Sequence, residues 1–134
     1  MKNCIFCQIA KKEIPAHIIY EDEGTMAFLD INPAMKGQAV VISKEHKTSN
    51  FKKVSDETLR KTIIAAKKTA KLLDRALNSR SCLLIEGFDI DHLHFKLYPT
   101  TKERHLKIRP QMPADSEELK ELAEKITTAN KQKS

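Results

Sequence analysis

Tryptophan is absent and tyrosine occurs only twice, so the chain has few aromatic faces on which nucleic-acid bases would stack. Cysteine is scarce, and its odd count of three does not make a disulfide framework. A reducing, cytoplasmic setting is the expectation that follows. No apolar run approaches the ~18 residues of a transmembrane helix, and no hydrophobic stretch of signal-peptide type follows Lys2. A membrane partner is therefore not expected. Internal repeats and low-complexity blocks are missing too. What remains is a chain of 134 residues, 31% charged and 40% hydrophobic, the composition of one globular domain. Its net charge of +6 favours anionic partners without choosing nucleic acid over small phosphate compounds.

Local signals order the elements. Cys4 to Lys11 reads as a short helical turn stopped by Ile14-Pro15, because the residue before proline is pushed toward extended geometry. His17 to Glu21 and Thr25 to Asp30 are short apolar runs around Glu23-Gly24, a hairpin signal. Asn32-Pro33 and Lys36-Gly37 mark a loop, and Ala39 to Ser43 is a compact buried-strand candidate. Ser55-Asp56-Glu57 opens a long helix with a capping hydroxyl and acids suited to its positive end. Leu59, Ile63, Ala66, Ala70, Leu73 and Leu77 form its predicted apolar stripe. Ser81 to Glu86 is the next strand, Gly87 to Asp91 a turn, and a strand from His92 follows. After a basic loop from Lys102 to Arg109, a last helix starts near Asp115, with Glu118 set for a capping box. It frays into Lys131-Gln132-Lys133. Hairpin, strand, helix, two strands and helix make an α+β fold: an antiparallel sheet with one long helix packed on it and a C-terminal helix. Residues 1–110 are expected to form the body of the domain, and 111–134 its C-terminal helix and basic tail.

The most informative stretch is His92-Leu93-His94-Phe95-Lys96-Leu97-Tyr98-Pro99. On a strand, successive side chains face opposite ways, so Leu93, Phe95 and Leu97 would face a core. His92, His94 and Lys96 would line the other face at steps of roughly 6.6 Å. Imidazole is nucleophile, acid-base group or metal ligand near neutral pH, so this row suits phosphorus or metal chemistry. Cys4 and Cys7 carry a second signal, since two thiolates three residues apart bind one tetrahedral ion. Taken alone, the pair is also compatible with small buried thiols at a helix start. A redox motif is disfavoured because no βαβ pattern surrounds it. Cys82 reads as an inert core thiol, and His17 and His105 as surface side chains.

Five ordered blocks carry a resemblance: Cys4-Ile5-Phe6-Cys7, Glu13-Ile14-Pro15-Ala16, Phe28 to Pro33, Val40 to His46, and His92 to Pro99. Together they resemble the histidine triad superfamily, in the branch of small nucleotide-binding proteins of the zinc-containing type. The resemblance implies attack by a histidine on the α-phosphate of a nucleotide conjugate, giving a nucleotidyl-histidine that water or another acceptor resolves. By position the nucleophile is His94. Lys96 stands at the third triad position, where its donors and charge suit a phosphate oxygen, although its reference pKa of ~10.4 makes it a poor acid near neutrality. The resemblance also implies a structural zinc held by Cys4, Cys7, His46 and His92. It implies ribose recognition by Asp30, which could otherwise simply cap the Asn32-Pro33 turn. Ile31, Phe28, Ile5, Phe6 and Ile9 would wall the base, and Gly87 would belong to the phosphate loop. Two departures stand out: Ile85 occupies the place of a usual asparagine, and Gly87 to Asp91 is several residues shorter than the usual loop.

The expectation is thus a nucleotide phosphoramidase or dinucleoside polyphosphate hydrolase, with a purine nucleotide or its conjugate as partner and a homodimer as assembly. The alternatives are a nucleotide-binding protein with little turnover and a weak basic nucleic-acid binder. Nucleic acid is not expected as the partner, because no aromatic platform is visible.

Overall fold

A computed structural model describes residues 3–131. Helix α1 (Ile5–Ala10) starts at Cys4, whose sulfur accepts the Cys7 N–H at 3.4 Å. Strands β1 (Ile18–Glu21) and β2 (Thr25–Leu29) form the expected hairpin. Its turn is closed by Asp22, whose carboxylate accepts from the Gly24 and Thr25 amides and from the Tyr20 and Thr25 hydroxyls. Strand β3 (Ala39–Ser43) follows, then helix α2 (Asp56–Leu77), strands β4 (Arg80–Ile85) and β5 (His94–Thr100), and helix α3 (Ser116–Lys131). The five strands make one antiparallel sheet in the order β1-β2-β3-β5-β4. The architecture is the expected α+β sheet-and-helix fold.

Each sheet face has its own core. Ala27, Val41, Phe95, Leu97 and the preceding Leu93 pack with Ala65, Ala66 and Leu73 of α2. On the opposite face Met26, Phe28, Val40 and Ile42 pack with Phe6 and Ile9 of α1. Ser55 caps α2 as expected, accepting the Thr58 N–H at 3.1 Å. Five of the six predicted stripe residues of α2, Leu59, Ala66, Ala70, Leu73 and Leu77, lie in or against the core, and the sixth differs. Ile63 is 41% exposed, while Thr62 and Thr69 are buried beside Ala65, Ala66 and Leu73. Both threonines back-bond to the carbonyls four residues earlier, which removes the cost of burying their hydroxyls. Cys82 is another correction: it is half-buried on β4, beside the Thr100 hydroxyl at 3.5 Å, not a core thiol.

Helix α3 is capped by Asp115, which accepts the Glu118 N–H at 3.3 Å, and every described residue of it is exposed. The predicted fraying at Gln132-Lys133 lies outside the described residues. Among the described residues no helix is long and apolar enough to cross a membrane.

Candidate active site and metal centre

His94 opens β5 opposite Ile42, and Lys96 stands opposite Val40. Both therefore share the α1 face of the sheet. His92 lies just before the strand instead of on it, and is completely buried. The chain reaches it through a bend in which the Leu93 N–H bonds the Lys47 carbonyl at 2.8 Å.

The His94 ring is held from two sides. Its Nδ1–H donates to the His92 carbonyl at 2.7 Å, which fixes the tautomer and leaves Nε2 with its lone pair. The Phe6 ring meets it edge-on, centroids 5.0 Å apart. Burial holds the His94 imidazole below the ordinary histidine range; the His92 carbonyl and Glu86 oppose that shift, while the Lys96 ammonium reinforces it. A buried, oriented, neutral imidazole with one free nitrogen is the state a histidine nucleophile needs.

Lys96 is not an isolated cation. Its Nζ lies 3.6 Å from the Glu86 carboxylate, with both side chains partly buried. Sequence reasoning gave Glu86 no role, because a pairing between the end of β4 and the middle of β5 needs the strand register, which places Leu84 opposite Lys96.

The metal-ligand candidates converge. Cys4, Cys7, His46 and His92 present ligand atoms that all lie within 4.8 Å of one another. Cys4 Sγ is 3.2 Å from His92 Nδ1, and Cys7 Sγ is 3.3 Å from His46 Nδ1 and 3.5 Å from His92 Nδ1. A tetrahedral zinc with sulfur at ~2.3 Å and nitrogen at ~2.0–2.1 Å has S–N edges of about 3.6 Å. The donor set therefore fits such an ion. His92 Nε2–H donates to the Ser43 carbonyl at 2.6 Å, which turns Nδ1 toward the sulfurs, as an outer-shell partner does. Burial lowers the His92 pKa, keeping it in the neutral form that a ligand requires. Burial and the adjacent Cys4 push the Cys7 thiol up, a shift that a bound cation would reverse.

The remaining candidates divide. Phe6, Ile9 and Phe28 are buried core, with Phe6 and Phe28 in an edge contact at 5.9 Å. They form the floor of the α1 face. Ile31 is 79% exposed and Ile5 is also exposed, so both present apolar surface to solvent. Asp30 does cap its turn: Oδ1 accepts the Asn32 N–H at 2.8 Å and Oδ2 accepts from the Gln38 amide at 3.1 Å. Each carboxylate oxygen retains a second lone pair. Gly87 is pinned against Ser49, whose hydroxyl donates to the Gly87 carbonyl at 2.7 Å. A Cβ on Gly87 would lie 2.2 Å from that of Ser49. The short Gly87–Asp91 loop is further tied down by Asp91, which accepts from Ser49 N and from the Thr48 and Ser49 hydroxyls.

A five-stranded antiparallel sheet carrying a histidine held by the carbonyl of His92, next to a Cys₂His₂ cluster, defines a class of small α+β proteins. The chain belongs to the HIT family, whose domain profile matches residues 11–103. It is 34% identical over 131 residues to an adenosine 5′-monophosphoramidase of Schizosaccharomyces pombe, covering 94% of this chain and 97% of that one. It is 38% identical to an uncharacterized HIT-like protein of Methanocaldococcus jannaschii, over 72% of this chain and 78% of the other. Among solved structures, a Streptococcus mutans protein superposes with a TM-score of 0.81 at 32% identity, covering 96% of this chain and 86% of that one. A histidine triad nucleotide-binding protein from Candida albicans gives 0.79 at 29% identity, covering 97% and 99%.

Proposed function

We propose that the protein is a nucleotide hydrolase or nucleotidyl transferase in which His94 attacks the α-phosphorus of a nucleotide conjugate. The observation that carries this reading is the 2.7 Å bond from His94 Nδ1–H to the His92 carbonyl. It leaves Nε2 unprotonated and immobile, so orientation is prepaid before substrate arrives. In the first step the Nε2–phosphorus bond forms and the bond to the leaving group breaks, its electron pair departing with that group. Water or another acceptor then attacks the same phosphorus and returns the pair to His94. Lys96 stabilises negative charge on the non-bridging oxygens. Phe6, Ile9 and Phe28 floor the base site, with Ile5 and Ile31 closing on it from the exposed side. Asp30 accepts from the ribose hydroxyls with its spare lone pairs, and the Gly87 loop faces the phosphate. A purine base is favoured by the relatives named as adenosine 5′-monophosphoramidases.

Cys4, Cys7, His46 and His92 would hold a structural zinc, which would tie α1 to the approach to β5. The chain functions as a cytoplasmic homodimer. Support for the dimer comes from β4, an edge strand with exposed Leu83 and Leu84, and from Ile63, Ile64 and Leu72 on the outside of α2. Unpaired edges and apolar patches of this kind are usually covered.

Intact-protein mass spectrometry after brief mixing with adenosine phosphoramidates and dinucleoside polyphosphates tests the reading. A mass gain of one nucleotidyl group on wild type, absent from His94→Ala, is the expected result. Tight nucleotide binding with neither adduct nor turnover would leave a binding protein instead.

A further inference from the structure

The four ligand groups of the cysteine–histidine cluster come from three separate pieces of chain. Cys4 and Cys7 sit at the start of α1, His46 follows β3, and His92 precedes β5. Two of these pieces fix their ligands directly. The Cys4 sulfur accepts the Cys7 N–H at 3.4 Å, and His92 Nε2–H donates to the Ser43 carbonyl at 2.6 Å. His46 has no such outer partner: among the described residues, its ring bonds Cys7 Sγ at 3.3 Å and meets the His92 ring edge-on at 5.0 Å, both members of the cluster itself. The place of His46 therefore depends on the main chain that carries it.

That main chain is laced to the approach to β5. The Leu93 N–H donates to the Lys47 carbonyl at 2.8 Å. Asp91 Oδ1 accepts the Ser49 N–H at 2.9 Å, the Thr48 hydroxyl at 3.1 Å and the Ser49 hydroxyl at 3.2 Å. The same Ser49 hydroxyl reaches the Gly87 carbonyl at 2.7 Å. Of these ties only Asp91 brings a charge, and charge-assisted hydrogen bonds are about twice as strong as neutral ones. Asp91 directly precedes His92, and its bonds fall two and three residues after His46. Its oxygens are not part of the converging ligand set, so it is not a fifth ligand.

We infer that Asp91 is a positioning residue for the metal centre: one carboxylate oxygen clasps the His46 segment to the His92 segment and holds the two imidazoles ready for an ion. This rests on the zinc reading above. With the clasp, the ligand atoms lie within 4.8 Å of one another in advance. Without it, binding an ion must also order residues 46–49, and that lost conformational freedom is subtracted from the affinity.

Zinc affinity, measured by competition with a chromogenic chelator on metal-free protein that is folded by circular dichroism, tests the clasp. Asp91→Ala is expected to weaken zinc binding about tenfold, the lower end of the effect of losing an outer-shell partner. Asp91→Asn is expected to weaken it only about threefold, because the amide oxygen still accepts the Ser49 N–H. Thr48→Val leaves Asp91 in place and removes one of its donors. A loss of about threefold is expected there, the scale of one hydrogen bond, with no further loss when it is added to Asp91→Ala. A lowered thermal transition with unchanged zinc affinity in Asp91→Ala would make Asp91 a loop stabiliser and overturn the inference. Equal losses in Asp91→Ala and Asp91→Asn overturn it too. Should Asp91→Ala not fold, Thr48→Val decides, and wild-type affinity in that variant overturns the clasp. A wild type that binds no zinc overturns the zinc reading and the inference together, whereas a wild type that binds it as tightly as Asp91→Ala overturns the inference alone.

Discussion

At His94, one hydrogen bond decides which ring nitrogen keeps its lone pair. Replacing His94 by alanine is expected to abolish the covalent adduct and lower turnover by about 10³-fold or more, the scale of losing an activated nucleophile. The thermal transition and metal content should stay near wild type, because His94 is not in the cysteine–histidine cluster. The pH profile follows from the direction of its shift. Burial lowers the His94 pKa, so the reactive neutral form persists further into acid than for a free imidazole of pKa ~6.5. The acidic limb of kcat/KM should therefore fall below that value. Lys96→Met removes a positive neighbour that lowers the pKa, so its limb should move up; a shift in the opposite sense would contradict this electrostatic account. The His92-His94-Lys96 row and the Cys4–Cys7 pair stood out in the sequence by their spacing, while His46 and the assignment of roles came from the family resemblance. The acceptor for His94 and the partner of Lys96 were not legible. The first is a main-chain atom without side-chain signature, and the second depends on a register across two strands.

Among the elements, the loop from Gly87 to Asp91 is the most constrained by its neighbours. A methyl group on Gly87 would sit 2.2 Å from Ser49 Cβ and 2.4 Å from its hydroxyl. Gly87→Ala is expected to cost about 1–3 kcal/mol through overpacking and to lower Tm by about 3–10 °C. Gly24→Ala, where a new Cβ meets nothing within 4 Å, should stay within about 0.5 kcal/mol. Calorimetry on the two variants separates crowding from a general effect of losing glycine. The hairpin, the Ser55 cap and the strands were readable because each rests on local chemistry. The burial of Thr62 and Thr69 was not, since both count as polar by residue type yet satisfy their hydroxyls within the helix. Ile63, by contrast, counts as core and faces outward.

For the whole molecule, two assembly predictions follow from surface and cluster. Purified without added metal, the protein is expected to carry one zinc per chain by elemental analysis, and Cys7→Ser should lose it together with part of the thermal stability. Light scattering at micromolar concentration is expected to give the mass of two chains for wild type. Leu84→Lys, on the exposed edge strand, should shift that mass toward one. A wild-type monomer would leave Leu83, Leu84, Ile63, Ile64 and Leu72 without the cover proposed for them.

The strand order has a consequence for biosynthesis. The strand made last, β5, is inserted between β3 and β4, so the sheet has a gap until Thr100 has been made. At ~5–20 residues per second, the interval from Ser43 to Thr100 is roughly 3–11 s. During it the β1–β3 meander waits on the ribosome with its inner edge unpaired. His92, which meets Cys4 and Cys7, arrives in the same final stretch. The nascent chain therefore holds three members of the cysteine–histidine cluster early, and gains the fourth, with His94, only in that stretch. A stalled or truncated translation product ending before β5 would present two open edges and no site, the kind of species that holdase chaperones retain.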